Sequence, residues 1–389
     1  MILKLALRNL LGAGLRTWLN VIVLSFAFMA IIWTQGLYEG MNDQGRRASV
    51  EAALGGGQYW QKNYDPYDVL SLEDAHAVVP DFLRSMIDEN KATAVLVVQG
   101  TLYPQGRIHP VLVKGIDPGQ AVLTLPAHFL KTGEDRLPAL IGSRLAKSTG
   151  LGVGDTVTLR WRDAKGTFDA RDLEIVQVMK TVVQSIDQGQ VWLPLERLRK
   201  LAAMEGQASL VVLDQGTVEH PPVEGWVFRD LDYLLSDIKQ LVQMKSAGAT
   251  ILYTVLILLA MLAIFDTQVL SIFRRRKEMG TLMALGFTRG RLIRLFTLEG
   301  ALHGVLAAAA AALYGIPFLT WYARQGWAVP ESMDSYGFAI GERLFPVYGA
   351  GLVAGTTILV LVITTIVSYL PTRRIARLKP TEALRGRMS

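Results

Sequence analysis

Apolar residues in this chain gather into four long runs, at 17–38, 246–273, 295–322 and 344–370, whose only charged or titratable members besides tyrosine are Asp266, Glu299 and His303. A hydrocarbon core of about 30 Å takes about 20 helical residues. Each run is long enough, so the pattern predicts four transmembrane helices. Between the first two runs the periodicity changes. β-rich stretches predict strands at 92–103, 108–116, 155–161, 173–183 and 210–213, the first two closed into a hairpin by Pro104-Gln-Gly106. Helical spacing predicts helices at 138–149 and 195–204, and a capping box at Ser71-Leu-Glu-Asp74 opens another that runs to about Asn90.

The last stretch before the second run is amphipathic. Leu231, Leu234, Leu235, Ile238, Leu241 and Val242 share one helical face, and no proline separates that face from the membrane. A stalk helix can therefore pass unbroken from the outer domain into the bilayer and carry displacement as a rod. A helix that only packs on its own domain stays open as the plainer reading, with Gly248 a place where the joint could loosen.

Charge sets the orientation. The segments 1–16, 274–294 and 371–389 together hold 16 basic and 2 acidic residues, whereas 39–245 holds 22 basic and 27 acidic and 323–343 holds 2 and 3. The positive-inside rule then puts both termini and the second of these basic segments in the cytoplasm, and 39–245 and 323–343 outside. The first run begins too far from the start and is too long for a cleaved signal peptide, which predicts a retained anchor. The pI of about 9.4 comes from basic residues that abut membrane spans and lack interleaved aromatics, so nucleic acid is not an expected partner.

The chemistry of a soluble enzyme is missing. There is no cysteine, which excludes disulfides, thiol catalysis and thiolate zinc. His76, His109, His128 and His220 lack metal-ligand spacing, and no metal is expected. No G-x-x-x-x-G-K followed by Ser or Thr occurs; the nearest string, Gly142 to Ser148, lacks the second glycine. No catalytic residue is expected.

Within the spans, Gly300, Gly304, Ala308 and Ala312 recur at intervals of four, and Gly351 and Gly355 open the fourth run. Small residues so spaced let helices approach closely in lipid, within one chain or across a dimer. Asp266 lies near the cytoplasmic end of its span, where helix coupling and interfacial pairing are both open. Glu299 stands one helical turn from His303, within reach of a hydrogen bond. Trp321, Tyr322, Trp327 and Tyr336 fit an interfacial aromatic belt.

Three strings carry a resemblance. They are Arg274-Arg-Arg-Lys-Glu-Met-Gly-Thr-Leu-Met-Ala-Leu-Gly-Phe-Thr-Arg-Gly-Arg-Leu-Ile-Arg294 with its continuation to Gly300, the tail from Tyr369 to Arg385, and Leu5-Ala-Leu-Arg-Asn-Leu10. They resemble the FtsX-like ABC transporter permeases. The outer strings Val113-Lys-Gly-Ile-Asp-Pro118, Leu140 to Ala146 and Gly150 to Leu159 are most similar to the LolC/LolE (lipoprotein-releasing) and MacB branch.

The resemblance implies a membrane protein of MacB/LolC type, four transmembrane α-helices with a large α+β extracytoplasmic domain between the first and second, in a bacterial cytoplasmic membrane. It implies a porter-like part at 41–116 and 191–245 and an inserted module at 117–190. It also implies two copies of a separate ATPase, which would bind ATP and Mg. Further implied partners are a second permease copy or paralogue and a periplasmic adaptor, chaperone or lipoprotein. The ATPase-coupling element falls on Arg275, Arg276, Glu278, Met279, Thr281, Leu282, Leu285, Gly286 and Arg289, with Gly286 ending one short helix and Thr288 capping the next. The expected activity is export or extraction of a substrate such as a lipoprotein. The alternative is a non-transporting complex that switches on a cell-wall hydrolase.

Overall fold

The computed structural model describes residues 6, 8, 14–131, 136–181, 183–217, 219–274, 280, 281, 283, 286–328 and 343–375, with only some side chains in the helix Ser236–Arg274. Two compact units divide the chain, one drawn from Met1–Asn42, Val242–Ala328 and Arg343–Ser389, the other from Asp43–Leu241 and Val329–Glu342.

Four long helices supply the first unit: Leu15–Ser49, Ser236–Arg274, Arg289–Gln325 and Ala350–Ile375. Trp18–Leu54, Arg289–Gln325 and Ala350–Arg373 are long and apolar enough to cross a membrane, and a shorter apolar stretch, Thr250–Leu259, lies within Ser236–Arg274. Val21, Leu24 and Phe28 pack with Ala307, Ala311, Val360 and Val367. Lipid offers apolar side chains as good an environment as a neighbouring helix does, so close packing and interhelical hydrogen bonds hold such helices together. Here Thr356 Oγ1 donates to Gln35 Oε1 at 3.1 Å, and the Tyr314 hydroxyl donates to Ser25 Oγ at 3.3 Å. Helical hydrogen bonding continues without a break past Asn42 in Leu15–Ser49 and past Leu241 in Ser236–Arg274, the points where the chain passes between units.

Strands dominate the second unit. They are β1 (Gln58–Gln61), β2 (Ala77–Val78), β3 (Ala92–Leu102), β4 (His109–Ile116), β5 (Leu137–Gly142), β6 (Thr156–Arg162), β7 (Phe168–Met179), β8 (Gln190–Pro194), β9 (Gln207–Ala208), β10 (Leu210–Leu213) and β11 (Trp226–Arg229). Nine of them form one sheet in the order β11-β1-β10-β3-β4-β8-β5-β7-β6, and β6 also pairs with β3 through Gly100 opposite Trp161. The six strands from β3 to β6 thereby close a ring, with parallel pairing in β4–β8 and β5–β7 and antiparallel pairing elsewhere.

Alternation along the strands sends one set of side chains to each face. Leu96, Val98, Val113, Ile141, Leu159, Trp161, Ile175 and Val191 form one core, and Val95, Val97, Ile116, Leu140, Met179 and Trp192 belong to another. The ring closes tightly at Gly100, where a Cβ would meet Val113 Cγ2 at 2.6 Å and Leu159 Cδ1 at 2.9 Å. Pairings β5–β8 and β3–β6 run between the segments expected as porter and inserted module.

Three local expectations are corrected. Residues 138–149 are not one helix: Leu137–Gly142 is a strand and the helix is Ser143–Thr149. A short apolar run buried on both faces of a sheet has no alternation by which to recognise it. The helix expected from Ser71 is a 3₁₀ turn, Val69–Glu73, capped by Asp68, followed by β2 and a helix at Asp81–Asp88 that starts after Pro80. Proline lacks the amide hydrogen a helix interior needs. The stalk from Leu231 is interrupted, since Leu231–Leu234 is a separate turn of helix ending at Leu235, and the long helix begins at Ser236.

Candidate functional site

The elbow at 274–294 is described in part. Arg275, Arg276, Glu278, Met279, Leu282 and Leu285 lie outside the described residues. Thr281 and Arg289 are exposed. Gly286 sits at φ +93°, in the left-handed region that glycine enters without steric cost, and its N–H donates to Met283 O at 3.1 Å. Thr288 Oγ1 then accepts from Arg291 N at 3.4 Å, which caps the helix Arg289–Gln325. A tight turn at Gly286 thus leads into a new helix capped by Thr288, as the sequence predicts, and the short helix expected before it lies largely outside the described residues.

Behind the elbow, the third long helix carries the closest packing. Gly300 and Gly304 are buried, and a Cβ on Gly304 would meet Thr364 Oγ1 at 2.7 Å and Leu361 Cδ2 at 3.0 Å. Ala308 is half-buried and Ala312 exposed; the buried line continues through Ala307, Ala311, Gly315 and Leu319. A strict step of four residues overshoots a 3.6-residue turn, and the one step of three, from Gly304 to Ala307, brings the buried line back onto its face. In the fourth helix Gly351 and Gly355 are exposed, with nothing in the described chain close to either, so they do not serve packing within this chain; Thr356, Val360, Thr364, Val367, Ser368 and Thr372 are buried.

One seam was not foreseen. Gly36 packs under the Tyr348 ring, its carbonyl accepts from Val347 N at 2.9 Å, and Gly40 lies against the backbone of Phe345 and Pro346. Gly36 and Gly40 are spaced by four, the same signal read in the third helix. Ending the first span at Tyr38 hid the pair.

Glu299 is 6% exposed, and His303 Nδ1 donates to its backbone carbonyl at 2.8 Å, so the pairing of these two residues runs through the main chain. Asp266 is exposed on its helix. Tyr322 stacks with Phe318 at 5.7 Å and lies 6.1 Å from Trp33, and Trp321 is exposed, as a belt residue would be. Trp327 begins a two-residue strand paired with Arg343–Leu344, and Tyr336 lies outside the described residues.

In the second unit, the root of the stalk is fastened. Asp230 caps Leu231–Leu234 by accepting from Tyr233 N at 2.8 Å, Ser236 Oγ donates to Tyr233 O at 2.6 Å, and Leu235 is buried. The Arg229 guanidinium lies 4.2 Å from the Tyr233 ring and 5.5 Å from Trp60. Leu231 and Leu234 are half-buried, and the side chains of Ile238, Leu241 and Val242 lie outside the description although their backbone is helical. The string from Leu140 to Ala146 forms a strand end and a helix start. There the buried Asp187 carboxylate accepts from Ser143 Oγ at 3.0 Å and Arg144 N at 3.2 Å, and pairs with Arg144 Nε at 3.4 Å. A carboxylate at this helix start is the opposite of a phosphate loop. Among the described residues, no group of three or more His, Asp or Glu side chains could hold a metal ion.

Similarity to known proteins follows this division. Residues 17–219 match the family described as the MacB-like periplasmic core domain, and residues 250–380 match the FtsX-like permease C-terminal family. The lipoprotein-releasing system transmembrane protein LolC of Xylella fastidiosa (strain 9a5c) is 25% identical over 334 residues, covering 77% of this chain and 79% of that protein. LolC of Neisseria meningitidis serogroup B is 22% identical over 316 residues, 74% of this chain and 76% of the relative. Among solved structures, the extracellular domain of the noncanonic ABC-type transporter YknZ from Gram-positive bacteria is similar, at 13% identity and a TM-score of 0.27. The match covers 42% of this chain and 83% of that one.

Proposed function

This chain belongs to the ABC transporter permeases that join a MacB-like periplasmic core to an FtsX-like C-terminal region, and from that premise we propose that it turns ATP-driven movement in the cytoplasm into movement of its outer domain. The helix Ser236–Arg274, with Thr250–Leu259 at its apolar centre, is the fourth span beside the three long apolar helices. Both termini are cytoplasmic, and residues 39–245 are periplasmic, in the cytoplasmic membrane of a bacterium. The chain is not itself an ATPase. Two copies of a separate ATPase dock on the segment 274–294, and a second permease, identical or paralogous, completes the complex. The cargo is a lipoprotein taken from the membrane, supported by the similarity to LolC proteins named for that release.

The observation that carries this reading is the helical continuity at both passages between units. A helix of this length transmits a push because bending it breaks hydrogen bonds along its ladder. The break at Leu235 lies on the outer-domain side of the passage, where Asp230, Tyr233 and Ser236 fasten the backbone.

Two changes in the full complex test it. Leu282→Asp with Leu285→Asp is expected to abolish co-purification of the ATPase, and undiminished recovery would remove 274–294 as the docking element. Two glycines inserted after Leu241 are expected to leave ATP hydrolysis intact and stop release of cargo. Normal release would rule out transmission through this helix.

A further inference from the structure

The string Val113-Lys-Gly-Ile-Asp-Pro118 gains no role from the transport reading, and its lysine points to another. Strands β1, β10, β3, β4 and β8 lie side by side, and on the face carrying Trp60, Val212 and Trp192 they also place Lys114. These residues line a cavity of about 410 Å³ within the outer domain, in the range of pockets that enclose small organic ligands. Tyr64, Tyr67 and Tyr233 add aromatic wall, and no Asp or Glu is among the described lining residues.

Three polar groups here lack hydrogen-bond or ion-pair partners among the described residues. Lys114 forms no ion pair among the described residues, and its Nζ lies 5.2 Å from the centre of the Trp192 ring. Gln190 is 6% exposed and its Oε1 accepts nothing; Trp192 is 2% exposed and its Nε1–H donates to nothing. Buried polar groups are normally paired. Lys114 is the cation of this cavity; Gln190 and Trp192 line it as well, with Gln190 Oε1 and Trp192 Nε1 closed to solvent. The Arg229 guanidinium lies over the Trp60 and Tyr233 rings, and Arg229 is not among the lining residues.

We propose that this cavity binds an apolar monocarboxylate. Its carboxylate accepts from Lys114 Nζ, and its body lies on Trp60, Leu112 and Val212. One cation matches one negative charge, which excludes polyphosphates and doubly charged acids as fitting ligands. Desolvation lowers the Lys114 ammonium to about 8, so at neutral pH it remains mostly charged and available to an anion. The inference holds whichever cargo the permease moves.

The test uses the full chain in lipid nanodiscs at neutral pH and the probe 4-(trifluoromethyl)phenylacetate, followed by fluorine NMR line broadening against empty nanodiscs. Saturable broadening is expected, weakened about tenfold or more in Lys114→Met, because truncating one partner of a buried charge pair is costly. None of this binding is expected for the neutral amide of the probe. The amide needs no variant, so the result does not hinge on whether a variant folds, and thermal unfolding of the variant is measured alongside. Competition by octanoate places the natural ligand among linear acyl acids, and competition only by arylacetates places it among aromatic acids. Broadening no greater than in empty nanodiscs, or equal for acid and amide, or equal in wild type and Lys114→Met, would overturn the proposal.

Discussion

The two units solve the same problem in opposite ways. The outer domain removes large aliphatic and aromatic side chains from water, so its cohesion grows with the area buried. The helical unit carries side chains that lipid would accept equally well, so its cohesion depends on how closely backbones approach. Trp161, 2% exposed at the ring closure with its Nε1–H donating to Leu201 O at 3.0 Å, stands for the first. Gly304, where even a methyl group would press on Thr364 and Leu361, stands for the second. Removing bulk should harm one unit, and adding bulk the other.

That contrast can be broken by a graded set of variants of the full chain. The largest effect is expected from Trp161→Ala, which leaves a cavity and an unpaired carbonyl and should cost about 3–5 kcal/mol. Hydrogen exchange in β3 and β6 should report it, with the long helices unaffected. Next comes Gly304→Val, an overpacking change of about 1–3 kcal/mol, visible as faster proteolysis or exchange in the helices while the outer sheet stays protected. If Gly304→Val instead loosened the sheet and spared the helices, the contrast would fail.

Lys114→Met should raise the melting temperature of the outer domain, since it removes a poorly solvated cation. The pH dependence carries the sign. The ammonium titrates near 8 when folded and near 10.5 when unfolded, so between those values the unfolded chain holds the extra proton and wild-type stability rises with pH. The variant should lose that rise, and a denaturation series from pH 7 to 10.5 decides it. The smallest effect belongs to Gly355→Ala, which faces open space and should change the monomer's stability by no more than about 0.5 kcal/mol.

Much of the outer domain was legible because its strands alternate or are rich in β-branched residues. The hairpin at 92–116 and the strand Leu210–Leu213 are found where the sequence puts them. The helix Leu195–Ala202 matches as well, its buried Leu195, Leu198 and Ala202 following the helical period. What escaped is what pairing decides. Gln58–Gln61 and Gln190–Pro194 are too short and too polar at one end to announce themselves, and their membership of the sheet comes from partners far away in sequence. The candidate site divides similarly. Gly300, Gly304 and the turn at Gly286 are local signals, and they were read. Gly36 and Gly40 became visible only beside Tyr348 and Pro346, and Lys114 only beside Trp192.

The closed ring has a consequence for biogenesis. Its first strand begins at Ala92 and the strand that must lie between β4 and β5 ends at Pro194. Until that whole stretch has emerged, the hairpin at 92–116 exposes two bare strand edges, the kind of surface that recruits wrong neighbours. Folding of this domain is therefore expected to be all or nothing. A chain cut short between residues 117 and 190 should yield aggregation or degradation rather than a shorter folded product.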